Sequence, residues 1–265
     1  MNRILLQREL KYSAKILLIF CAILTLYTAM IISMFDPKLG ESLEMMKNSM
    51  PEIFALVGMD SPGTTLVAFI NNYLFGFLYK VFPMIFFVFL INRVLIRYID
   101  RGTIAYLLAT PNSRRKIAMT QVGVVLIQLF LLMAYVTALT FVVCESMFPG
   151  QLDGKAYLLV MAGLFGLLLF LSGICYLSGC IFHEAGKALG VGVGLDILFV
   201  LIQMISQVGD KFADLKYATP LTLFSPEKIV SGEPEGIVMF LLLYLAGFLC
   251  YGIGISIFCK KDLSI

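Results

Sequence analysis

Six long apolar runs, each almost free of charge, divide the chain into pieces of membrane-crossing length. They predict helices at about Ile16–Phe35, Tyr73–Ile91, Ile117–Phe141, Ala156–Phe182, Ala188–Val208 and Ile237–Cys259. Each is near or above the roughly 20 residues that cross about 30 Å of hydrocarbon. The short alternating runs of a barrel are missing from the pattern, and backbone polar groups in lipid must be satisfied within helices. The expected fold is all-α and integral to the membrane: one six-helix transmembrane domain over residues 1–265.

The connections carry their own pattern. Residues 1–15 read as a short amphipathic helix on the membrane surface, with Ile4, Leu5 and Leu6 toward lipid and Arg3, Arg8, Lys11 and Lys15 toward headgroups. The apolar run that follows is longer than the core of a secretory signal and lacks a small-x-small cleavage site, so it is expected to remain as an anchor. The first external connection, about 36–72, suggests a short helix around Glu41–Met50, a break at Pro51 and punctuation at "MDSPGTT". The other long external segment, about 209–236, holds Pro220, Pro226 and Pro234 and predicts short helices capping the outer face.

Composition agrees with this reading. Hydrophobic residues make up 60% of the chain and charged ones 14%, and mean hydropathy is +0.94, far from a soluble domain. Charge then sets orientation. Thirteen Lys and Arg fall at the two termini, in the second-to-third connection and in the fourth-to-fifth, against six in the remaining connections. Both termini are therefore expected on the cytoplasmic side, and the net charge of +3 reports topology rather than nucleic-acid binding.

Enzymatic chemistry finds little support. His183 is the single histidine, which excludes an H-E-x-x-H zinc site, and it reads with Glu184 as a solvated turn. In "GQLDGKA" the glycines stand one residue too close for a phosphate loop, and Ala156 occupies the position of the Mg²⁺-binding hydroxyl. The six cysteines have no C-x-x-C spacing and read as small buried side chains; Met45, Met46, Met50 and Met59 read as loose packing rather than a copper site. Two ionisable groups fall inside predicted spans, Lys80 and Asp196. Each costs on the order of 2.5–3.5 kcal/mol at mid-bilayer. Lys80 can snorkel outward, whereas Asp196 is expected to line a translocation pathway or to pair with Lys80. Gly186, Gly190 and Gly194 recur every fourth residue in the fifth span and lay a smooth strip along one face, as glycines also do in the fourth and sixth. Such strips serve helix packing within one protomer or between subunits.

The connection after the second span, "YIDRGTIAYLLATPNSRRK", stands apart. Asp100 is placed to N-cap a helix over Arg101–Thr110 with Ile104, Leu107 and Leu108 on one narrow apolar face; Pro111 ends it, and Ser113 caps the next helix. A helix of this kind either rests at the interface or inserts into a partner and passes that partner's motion into the membrane.

"DRGTIAYLLATPNSRRKI" resembles the "G-T-x-x-x-L-L-x-x-P-x-S-R" connection of ABC-2-type exporter permeases, and "MPEIFALVGMDSPGTTLVAFINNYLF" resembles the external segment before it. Of the acids that often precede the glycine in that family, Asp100 alone is present here, behind Arg93 and Arg97. The resemblance implies a type V exporter-like transmembrane domain without an ATPase of its own, in a bacterial cytoplasmic membrane. It implies a second permease subunit, in a homo- or heterodimer, and separate cytoplasmic ABC ATPase subunits that hold ATP and Mg²⁺. The helix at about 100–111 would be the coupling helix, with Asp100, Gly102, Thr103, Leu107, Leu108, Pro111, Ser113 and Arg114 as its site. The rival reading is an ion-coupled secondary carrier using Lys80 and Asp196; it predicts inverted halves, and no such symmetry is visible. A membrane scaffold or sensor is the third reading.

Overall fold

The computed structural model describes residues 2–35, 49–50, 66–108, 112–207 and 210–261. Among these residues all regular structure is helical, and six helices are long and apolar enough to cross a membrane. The protein is thus a multi-pass membrane protein. The spans are α1 (Arg3–Ser33), α2 (Asn71–Asp100), α4 (Arg114–Met147), α5 (Gly154–Ile181), α6 (Ala185–Ser206) and α8 (Pro234–Lys260). Between them lie the short α3 (Ile104–Leu108) and α7 (Pro226–Val230).

Local chemistry sets most helix starts. Asn2 caps α1, accepting from the Ile4 and Leu5 amides at 3.0 and 3.2 Å. Ser113 caps α4 through the Lys116 amide at 3.3 Å, and Asp153 caps α5 through Lys155 and Ala156 at 2.9 and 3.2 Å. The "GQLDGKA" stretch is therefore the turn that opens a span. Between α6 and α8, 3₁₀ turns occupy Asp210–Ala218 and Pro220–Leu223. Pro220, Pro226 and Pro234 each stand at the first turn of a helix, where a missing N–H leaves nothing unpaired.

Two expectations change. Among the described residues the expected surface helix is not separate from the first span: α1 runs unbroken for 31 residues, about 46 Å at 1.5 Å per residue. Neither Gly nor Pro interrupts residues 3–33, and polar bonds hold the early turns against α4. Gln128 Nε2 donates to Ser13 Oγ at 2.8 Å, and the Asn2 amide donates to Thr120 Oγ1 at 2.9 Å. Leu5, expected toward lipid, is buried, while Ile4 remains exposed. The second span also starts earlier than expected. A helical turn at Leu66–Ile70 runs straight into a π-helical stretch, Asn71–Leu78, and a second π-helical stretch occupies Asn92–Ile96. The expected Glu41–Met50 helix, the Pro51 break and "MDSPGTT" lie outside the described residues, apart from 49–50.

Packing is tightest between α5 and α8, where glycines let the backbones meet. A Cβ on Gly173 would stand 3.0 Å from Cys250 Cβ and 3.1 Å from the Gly247 carbonyl; one on Gly247 would stand 3.0 and 3.1 Å from Leu169 Cγ and carbonyl carbon. Between the helices, Tyr251 donates to Ser172 at 2.8 Å. On the other flank, the buried Tyr79 hydroxyl bonds Thr28 at 2.8 Å and Thr140 at 2.7 Å, joining α1, α2 and α4. Between α6 and α8, Phe224 and Ile229 fold back onto Gly163 of α5, filling the space that a side chain would need.

Candidate functional site

The connection between α2 and α4 is built by a sharp reversal. The Gly102 amide donates to the Ile99 carbonyl at 3.0 Å, and Gly102 takes φ +65°, a left-handed conformation that side chains with a Cβ avoid. The turn cuts the expected Arg101–Thr110 helix short: α3 begins only at Ile104. Thr103 Oγ1 leans on the Tyr98 carbonyl at 3.4 Å. Ile104 is buried and Leu107 half-buried against the protein's own core, so this part of the expected apolar face is already occupied. Tyr106 points the other way and is 79% exposed. Pro111 and the Leu108 side chain lie outside the described residues.

Asp100 does not cap that short helix. It is the last residue of α2, and its Oδ1 accepts from the Ala185 amide at 2.8 Å, across 85 positions of sequence. Ala185 is the first residue of α6, whose own cap residue, Glu184, bonds no helix amide and instead pairs with Lys187 at 3.0 Å. The aspartate therefore supplies both the missing acceptor and a negative charge at the positive end of the α6 dipole.

Neighbouring bonds gather the same ends of the other spans. Arg114 Nη1 donates to the Lys261 carbonyl at 2.7 Å, while Lys261 Nζ donates to the carbonyls of Cys180 and Phe182 at 3.0 and 2.7 Å. Burial lowers the Lys261 ammonium from its ordinary pKa. Tyr98 donates to Glu9 Oε1 at 2.7 Å, tying α2 to α1. The end of the bundle that carries Asp100 and α3 is thus one hydrogen-bonded unit.

At the opposite end, a cleft of about 290 Å³ opens between α2, α6 and the segment between α6 and α8, with Asn71, Gln203, Gln207 and Glu227 on its walls. Lys80 belongs to it, its ammonium 5.5 Å from the centre of the Phe224 ring. One wall is the π-helical stretch, a geometry often found at functional sites.

Asp196 lies elsewhere, fully buried where α6 meets α5. Cys175 Sγ donates to its Oδ2 at 3.2 Å, and Oδ1 has no hydrogen-bond partner. It makes no ion pair, so the expected link to Lys80 is absent; the pairs among the described residues are Lys187–Glu184 and Lys228–Glu235. The cause is placement, since Lys80 faces the cleft while Asp196 is sealed behind a helix contact. The glycine strip of α6 makes no close contact with the described residues. Gly186, Gly190 and Gly194 have open space where a Cβ would go, and Gly192, on the other face of α6, makes the close contact, 3.1 Å from Cys175 Cα.

Tyr106, Glu9 and the Asn71–Leu78 wall were not singled out from sequence. Tyr106 stands two residues beyond Ile104, hence on the opposite side of α3, and that offset was the available signal. Glu9 looked like one more polar residue of a surface helix, and π-helical geometry has no pattern that periodicity could detect. In comparison with known proteins, no family model, no curated sequence and no solved structure matches this chain.

Proposed function

We propose that this protein is the membrane-spanning permease subunit of an ATP-driven, ABC-2-type exporter in a bacterial cytoplasmic membrane, working as a dimer on separate cytoplasmic ATPase subunits that bind ATP and Mg²⁺. The observation that carries the reading is the α2–α4 connection, in which Tyr106 projects from a short helix whose apolar side is anchored in the bundle. A helix held this way transmits a push rather than yielding to it. Displacement of α3 reaches α6 through the Asp100–Ala185 bond, and α6 turns its open glycine strip away from its own bundle, where a second permease subunit can pack. The carrier reading needs Lys80 and Asp196 at one ion or substrate site, and it finds less support, because Lys80 lines the cleft while Asp196 is buried against Cys175.

The test is co-purification with an ATPase subunit from the same cell, followed by its hydrolysis rate in proteoliposomes. Wild-type protein retains the ATPase, and Tyr106→Asp releases it while the permease still elutes as a folded species. The reading fails if no ATPase is retained, or if Tyr106→Asp leaves retention and hydrolysis unchanged.

A further inference from the structure

At the basic end of the bundle, one face of α8 and the end of α5 line an open groove of about 800 Å³. Its inner wall is apolar, made by Ile181, Leu249, Ile253 and Ile257, and Gly252 widens it, with nothing within 4 Å of where a Cβ would stand. The mouth is cationic. Lys260, Lys261 and His183 lie there with the Ser256 hydroxyl, and no acidic side chain is among the described lining residues. Lys261 spends two of its three N–H bonds on the Cys180 and Phe182 carbonyls, which fixes its ammonium at the rim; Lys260 remains exposed. Arg114, bonded to the Lys261 carbonyl, adds a further positive charge behind them.

An apolar groove that ends in two lysines at the end of a membrane-spanning helix matches a molecule with an acyl chain and a negatively charged head. We propose that this groove is a binding site for an anionic phospholipid, with the acyl chain along Leu249 and Ile253 and the phosphate held by Lys260 and Lys261. Zwitterionic lipid fits the slot but lacks the net charge that the rim selects. The site is independent of the exporter reading, since it requires only that α8 cross the bilayer.

The chain contains no tryptophan, so one introduced indole reports on its surroundings without background. The full-length protein carrying Leu249→Trp is reconstituted into vesicles of phosphatidylcholine with brominated phosphatidylglycerol, or with brominated phosphatidylcholine, and quenching is compared. The expected result is binding of phosphatidylglycerol about fivefold tighter than phosphatidylcholine, falling toward parity when Lys260→Gln is added. Val191→Trp on α6, beside a lysine already paired with Glu184, should show no preference. Gly252→Leu fills the slot without disturbing packing and should abolish the preference at Leu249→Trp. Equal preference at the two reporters, a preference that survives both Lys260→Gln and Gly252→Leu, or no quenching by either lipid would each overturn the assignment.

Discussion

Two glycine arrays in this protein look alike in sequence and do opposite things in the fold. In α5 and α8, Gly166, Gly173, Gly247 and Gly254 are roofed by the facing helix, so that an added Cβ would meet Tyr244, Cys250, Leu169 or Tyr176 at 2.7–3.0 Å. In α6, Gly186, Gly190 and Gly194 have no described atom within 4 Å of where a Cβ would stand, although their four-residue spacing is the more regular. Spacing tells which face is smooth, while only the neighbour tells whether the smoothness is used. The closed array holds the protomer together; the open one is left for whatever lies outside it. Gly192, two residues from Gly190, confirms that α6 itself is docked, through its other side.

The largest expected effect is in the closed array. Gly247→Leu drives side-chain atoms against Leu169 Cγ and against the backbone of Leu169 and Phe170, which cannot swing aside. Overpacking of this kind should lower protomer stability by about 3 kcal/mol. Thermal unfolding of the detergent-solubilised protein measures it, and an unchanged midpoint would mean that α5 and α8 do not touch as described.

A smaller effect is expected where α6 is held at its end. Asp100→Ala removes the acceptor for the Ala185 amide and should cost about 1 kcal/mol, with Asp100→Asn, which keeps an oxygen acceptor, recovering much of it. Hydrogen exchange at Ala185 to Lys187 gives the local readout: faster in the alanine variant, near wild type in the asparagine one. If both variants exchange alike, the bond does not hold the helix start.

These two cases mark how far the sequence could be read. The spans were legible because their apolar runs reflect the solvent they cross, a property of each residue by itself. The α1 start and the Asp100 contact were not, because they depend on partners distant along the chain. Ser13 and Thr120 hold the first turns of α1 beside α4 rather than letting them lie flat, and the amide that Asp100 caps belongs to a helix that begins 85 residues later. Ser113 was read correctly because its cap is local. Lys80 and Asp196 were both recognised as exceptional, since an ionisable residue in a span is visible in one dimension. Their separation into a cleft and a sealed contact exists only in three.

The smallest effect on the protomer is expected from Gly190→Leu, and it is the sharpest test of the contrast between the arrays. The site is open, so the protomer should keep its stability within about 0.5 kcal/mol, the range of surface substitutions, and its unfolding midpoint with it. A leucine there also adds apolar surface to a lipid-facing helix, which is neutral in hydrocarbon. If α6 carries the subunit contact, however, the added side chain stands between two backbones that approach through glycine, and self-association should fall while folding does not. Mass photometry of the solubilised protein, or cross-linking in the membrane, separates the outcomes. Loss of dimer with an unchanged midpoint places the second copy on α6. A lowered midpoint would mean that this strip is packed after all, and an intact dimer with an intact midpoint would send the subunit contact to another face of the bundle.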